Sequence, residues 1–181
     1  MLFHKTDLLG AFLIKLEARG DERGMFARTF CINEFAAHGL ETRFVNQNMS
    51  VSAEQGTLRG MHCQIEPSAE VKVIRCVRGA IFDVIVDIRP DSPTYLKWQG
   101  FELTEQNKDQ LYIPKGFLHG FQTLLNDTEV SYLVSEFYAP EAERGARHDD
   151  PAFGIEWPVP VTVLSDKDAS WADYKASAFK A

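Results

Sequence analysis

Short apolar runs broken by turn residues dominate this chain. The pattern predicts strands over 12–16, 25–31, 44–51, 71–77, 80–88, 96–103, 110–113, 120–123 and 130–137. The densest run, 80–88, carries β-branched residues at strand frequency, with Asp83 and Asp87 interrupting it rather than a helical stripe. Turn chemistry separates the pieces at Arg78-Gly79, at Arg89-Pro90-Asp91-Ser92-Pro93 and at Pro114-Lys115-Gly116. One short helix is expected over 34–38, with Asn33 as its N-cap and Gly39 as its left-handed stop. A second is expected over 170–179. Many short strands with turns between them indicate a mostly β fold, a jelly-roll sandwich or barrel whose interior can hold a ligand.

Composition narrows the class. With 181 residues, 45% hydrophobic and 12% aromatic, the chain can bury one real core, and one domain over 1–181 is expected. No linker, repeat or low-complexity stretch divides it. The formal charge of -7 argues against nucleic acid as a partner, so an anionic ligand needs a local basic cluster. No run of about 18 apolar residues is present, so no membrane span is expected. The N-terminal stretch lacks the order of a secretory signal. Cys31, Cys63 and Cys76 are odd in number and fit no paired spacing, which reads as a reduced, cytoplasmic protein.

The chemistry-bearing residues lie far apart in sequence. His62, in Arg59-Gly60-Met61-His62-Cys63-Gln64, offers a base that titrates near neutrality, and Tyr132 offers a phenol that can return a proton. The segment Ser165-Asp166-Lys167-Asp168 offers a carboxylate to orient the base. Gly60 leaves the backbone room for close approach; on a regular strand, however, Arg59 and His62 point to opposite faces unless the chain bends there. Arg23, Arg59 and Lys72 have the charge to grip a diphosphate. Tyr138, six residues after Tyr132, shares its face on a continuing strand and can stack on a nucleobase. His62, His119 and either Glu66 or Glu70 form only a partial metal-ligand set.

These motifs together resemble the dTDP-4-dehydrorhamnose 3,5-epimerase family of cupin-fold sugar epimerases. The matching stretches are Asp-Glu-Arg-Gly-Met-Phe (21–26), Gly-Thr-Leu-Arg-Gly-Met-His (56–62) and Lys-Val-Ile-Arg-Cys (72–76). The match continues through 79–89, Ile-Pro-Lys-Gly-Phe-Leu-His-Gly-Phe (113–121), Phe-Tyr-Ala-Pro (137–140) and Leu-Ser-Asp-Lys-Asp-Ala (164–169). The resemblance implies a cupin-type jelly roll, a homodimer, no metal and no cofactor. It makes His62 the general base, Asp168 its partner and Tyr132 the proton donor. Arg23, Phe26, Asn46, Asn48, Arg59, Lys72, His119, Tyr138, Glu143 and Lys167 fall on substrate-contacting positions. The implied substrate is a nucleoside-diphosphate 4-keto-6-deoxy sugar.

The chain departs from the family pattern at several places. Arg28 replaces a glutamate, Asn46-Gln47-Asn48 stands for Gln-Asp-Asn, Cys63 replaces an aromatic and His148 a tryptophan. A cation at Arg28 near other cations is expected to pair with a carboxylate such as Glu22 or Glu143. Two other classes fit the bare residues: a metal-dependent cupin enzyme, and a cupin that binds a nucleotide sugar without transforming it. The presence of both a base and an acid disfavours the second.

Overall fold

In the computed structural model, which describes residues 1–179, strands carry the architecture. Thirteen occur among the described residues: β1 (Leu2–Lys5), β2 (Phe12–Lys15), β3 (Arg19–Asp21), β4 (Gly24–Phe26), β5 (Asn46–Ser52), β6 (Leu58–Gln64) and β7 (Lys72–Arg78). They continue as β8 (Ala80–Asp87), β9 (Trp98–Thr104), β10 (Gln110–Ile113), β11 (Phe117–Thr123), β12 (Thr128–Val134) and β13 (Glu143–Gly145). One sheet has the order β1-β2-β10-β7-β12-β5 and the other β13-β6-β11-β8-β9, while β3 and β4 form a separate hairpin. Two antiparallel sheets with sequence-distant strands side by side are the cupin-type jelly roll that the turn-rich pattern predicts.

Side-chain alternation explains why the sheets stack. Ile74, Cys76, Leu111, Ile113 and Val130 of the six-stranded sheet meet Ile81, Ile85, Leu103, Phe117 and Phe121 of the five-stranded sheet in one buried cluster. On β8 the alternate residues Val84 and Val86 face the other way and are also buried, against Met61, Leu118 and Phe153. Both faces of β8 are thus covered, which is why its sequence reads as a near-continuous apolar run.

Outside the six-stranded sheet, α1 (Ile32–Ala37) lays Phe35 against Ile14, Val71, Val73 and Tyr112. Phe35 is fully buried and meets Phe30 and Phe44 edge-on, and a side chain of this size contributes roughly 2–3 kcal/mol by leaving water.

The helices differ from expectation. The first starts two residues before Glu34, at Ile32, so Asn33 lies inside it. Cys31 holds the N-cap position with no side-chain cap bond, and apolar anchoring by Phe35 sets the helix position instead. Gly39 does adopt the left-handed stop, at φ +68°. Within 170–179 only one 3₁₀ turn forms, Ala176–Phe179; the α-helical turn lies earlier, as α2 (Asp166–Ala169). There Ser165 caps the helix by accepting from the Asp168 N–H at 3.1 Å. The expected strand 25–31 is reduced to the short β4, and the strand over 130–137 ends at Val134.

Candidate active site

Strand β6 carries His62, the expected base, and an irregularity in its pairing aims it. Between the pairs His62↔His119 and Arg59↔Phe121, β6 advances three residues while β11 advances two. The extra residue is a bulge. It turns Arg59 and His62, three apart in sequence, into the same cavity. Gly60 makes the bulge possible. Its φ is +124°, and a Cβ there would sit 2.5 Å from the Gly120 Cα and 2.8 Å from the His119 carbonyl oxygen.

His62 Nε2 lies 2.5 Å from Asp168 Oδ1, and the other carboxylate oxygen of Asp168 accepts the Gly60 N–H at 3.2 Å. The same carboxylate therefore holds both the imidazole and the bulge that aims it. Burial pushes the Asp168 carboxyl up, but the hydrogen bond and charge of His62 and the Gly60 amide outweigh it and hold the group below its usual value. Asp168 is thus ionised at neutral pH. With Nε2–H donated to Asp168, the imidazole carries its lone pair on Nδ1, the form a general base needs. The ring of Trp171 closes this side, edge-on to His62 with centroids 6.2 Å apart.

Tyr132 reaches the cavity from the opposite sheet, on β12 between Asn48 of β5 and Ile74 of β7. The cavity has two lobes, of about 430 and 290 Å³, and His62, Lys72 and Tyr132 line both. The first lobe also holds Arg59, His119, Lys167 and Asp168. The second holds Asn46, Asn48, Tyr138 and Glu143. Eleven of the thirteen residues singled out in the sequence therefore border one lobe or the other.

Arg23 and Phe26 border neither lobe. They sit on the β3–β4 hairpin, where the Arg23 side chain is 83% exposed and paired with Asp21, and Phe26 is 74% exposed. Arg28 pairs with Glu34 at 3.1 Å rather than with Glu22 or Glu143, because α1 brings Glu34 beside it. Tyr138 reaches its lobe without sharing a strand with Tyr132, since the chain has left the sheet after Val134. Its hydroxyl donates to Glu143 at 2.7 Å, and Lys167 donates to the same carboxylate at 2.6 Å. Burial raises the Glu143 pKa, but the bonds from Lys167 and Tyr138 prevail and hold it low.

Sequence reasoning did not single out Asp83 or Trp171, and it considered Glu70 only as a metal ligand. Asp83 is fully buried, with Oδ2 3.0 Å from His119 Nε2, and burial pushes its carboxyl up against the pull of His119. An acidic residue in the middle of an apolar strand was the available signal. Glu70 pairs with Lys72 at 3.0 Å. Among the described residues, no three His, Cys, Asp or Glu side chains converge as a metal cage; the bases and carboxylates pair off two by two instead.

The family model described as dTDP-4-dehydrorhamnose 3,5-epimerase matches residues 5–176. A dTDP-4-dehydrorhamnose 3,5-epimerase of Sinorhizobium fredii is 47% identical over 171 residues, covering 94% of this chain and 88% of that protein. The crystal structure of the Bacillus anthracis enzyme of the same name, with TDP and PPi bound, is 41% identical with a TM-score of 0.92. That match covers 96% of this chain and 99% of the other. A Legionella pneumophila dTDP-6-deoxy-D-glucose-3,5-epimerase in complex with dTDP-4-keto-L-rhamnose has the same TM-score at 35% identity, covering 99% and 97%. With a model match across nearly its whole length and relatives above 40% identity, the chain belongs to the dTDP-4-dehydrorhamnose 3,5-epimerase family and is an epimerase.

Proposed function

We propose that the chain epimerises a dTDP-linked 4-keto-6-deoxy sugar by removing a proton from a carbon beside the ketone and returning one to the opposite face. The observation that carries this reading is that His62 and Tyr132 line one cavity from two different sheets. Inversion of a carbon acid needs a base on one side and an acid on the other. The 4-keto group acidifies C3 and C5, so the same pair can serve either carbon. In this reading His62 takes the proton, while ionised Asp168 fixes its tautomer and stabilises the imidazolium that forms. Lys72, which borders both lobes, offers its ammonium to the enolate oxygen, and Tyr132 delivers the returning proton. Arg59 takes the diphosphate. Asn46, Asn48, Tyr138, Glu143 and Lys167 line the remainder of the substrate path, with His119 at its inner wall.

We infer a homodimer as the working unit. Exposed Phe26, Met25 and Arg23 on the β3–β4 hairpin support it, because a hairpin of this composition is suited to a second copy's cavity rather than to water. Three free cysteines, two of them buried, support a reduced cytoplasmic setting.

The test is incubation with dTDP-4-keto-6-deoxyglucose in D2O, following deuterium at C3 and C5 by NMR. Uptake at either carbon with inversion is expected, and a substrate that stays fully protonated overturns the reading.

A further inference from the structure

Five basic side chains line the larger lobe: Arg59, His62, Lys72, His119 and Lys167. Four of them carry a carboxylate of their own. His62 has Asp168 at 2.5 Å, His119 has Asp83 at 3.0 Å, Lys72 has Glu70 at 3.0 Å and Lys167 has Glu143 at 2.6 Å. Among the described residues, Arg59 has no carboxylate partner. Its guanidinium donates instead to Ser52 Oγ and to the Val51 carbonyl, both at 3.2 Å. The cavity is therefore sorted: each of its basic side chains faces a carboxylate except at one point, Arg59.

Glu70, the partner of Lys72, is a member of this set with no role yet. Glu70 lies just before β7 and Lys72 is the first residue of that strand. Both side chains are largely withdrawn from solvent, at 13% and 15% exposure, and both border the second lobe. A lysine is a point charge on a flexible stem. Left alone in a cavity that receives a diphosphate, its ammonium would move towards the nearest phosphate oxygens. The ion pair with Glu70 restrains the stem and offsets the charge, while ammonium protons remain for another acceptor.

We propose that Glu70 is a positioning residue: it tethers the Lys72 ammonium where the two lobes join and reserves the diphosphate for Arg59. The inference rests on the epimerase reading above, with Lys72 facing the enolate oxygen. It makes Glu70 a determinant of how the substrate is seated, acting through Lys72 rather than by touching the reacting carbon.

The test uses the full chain and two readouts, dTDP affinity by calorimetry and turnover by deuterium uptake, in Glu70→Gln, Lys72→Met and the double variant. Glu70→Gln keeps size but removes the counter-charge. It should bind dTDP several-fold more tightly, because Lys72 is freed to join Arg59 on the phosphates. Its turnover should fall about tenfold, the effect of roughly 1.4 kcal/mol on the barrier. In the Lys72→Met background the same change should leave dTDP affinity unmoved. Glu70→Asp, which keeps the charge on a shorter arm, should lose turnover with dTDP affinity near wild type. A purely structural role for Glu70 predicts weaker dTDP binding in every variant and the same loss with or without Lys72, and either result overturns the proposal. An active wild type with an indifferent Glu70→Gln sinks this inference alone, whereas a wild type that neither binds dTDP nor exchanges deuterium removes the epimerase reading beneath it.

Discussion

His62 and Tyr132 belong to different sheets, β6 in the five-stranded and β12 in the six-stranded, yet both border the same two lobes. On the proposed reading a planar enolate held between them presents one face to the imidazole and the other to the phenol, and each half of that division of labour is separately testable.

Replacing His62 with alanine should cut deuterium uptake at the substrate carbons by about 10²–10⁴-fold. Affinity for dTDP should change little, because the diphosphate is assigned to Arg59. Calorimetry and NMR exchange on the same preparation check both halves. Exchange above a few per cent of wild type would remove His62 from the role of base.

Tyr132→Phe removes one hydroxyl and leaves the ring in its packing against Ile74 and its neighbours. The fold should survive, and His62 should still take and return protons from its own side. Deuterium should then wash in without inversion. Normal epimerisation by this variant would assign the acid elsewhere.

Gly60→Ala tests the bulge. At φ +124°, with the Gly120 Cα 2.5 Å from where a methyl would stand, the substitution forces β6 and β11 apart. A destabilisation of about 2–4 kcal/mol is expected in urea unfolding, with loss of activity in whatever folds. Wild-type stability and activity would mean that the close approach of the two strands is not required.

Acid stability should depend on Asp87. It is fully buried and accepts from Arg89 Nε at 2.8 Å, Arg89 Nη2 at 2.7 Å, Ser92 at 2.5 Å and Thr94 at 2.6 Å. Burial raises its pKa, but the bonds from Arg89, Ser92 and Thr94 outweigh that, and the carboxyl titrates below its usual value. A folded-state pKa depressed below the unfolded value of about 3.9 gives stability that is fully present above that value and lost as pH falls through the folded pKa. Asp87→Asn should cost roughly 3 kcal/mol at pH 7, and its gap from wild type should narrow below about pH 4. Urea midpoints at several pH values check it; a gap that stays constant with pH would separate Asp87 from the acid limb.

Local pattern carried much of the fold. β10 falls where alternation puts it, at Gln110–Ile113, and β8 ends one residue from its expected limit. Strand β6 escaped because Gly60 interrupts it, and a bulge depends on the partner strand, which alternation within one segment does not contain. α2 escaped although Ser165-Asp166-Lys167-Asp168 has the spacing of an N-cap, since four residues are too few to show a helical period. The site divides similarly. His62 and Asp168 are 106 residues apart and were linked only through resemblance to a family, because nothing in their spacing requires contact. The partner of Arg28 was misread because the position of α1, which delivers Glu34, is set by Phe35 in the core.

The two halves of the His62–Asp168 pair are anchored with unequal strength. His62 sits inside a strand that pairs on both sides, with β11 and β13. Asp168 rides on a four-residue helix outside the sheets, joined to β6 through the Leu58 N–H donating to the Val163 carbonyl at 2.9 Å and through its own bonds to Gly60 and His62. A helix of that length has no stability of its own, and segments of this kind open before a sheet does. Under mild heat or denaturant the molecule should pass through a state that is native by far-ultraviolet circular dichroism but catalytically silent, and ligand that bridges the two anchors should abolish that interval.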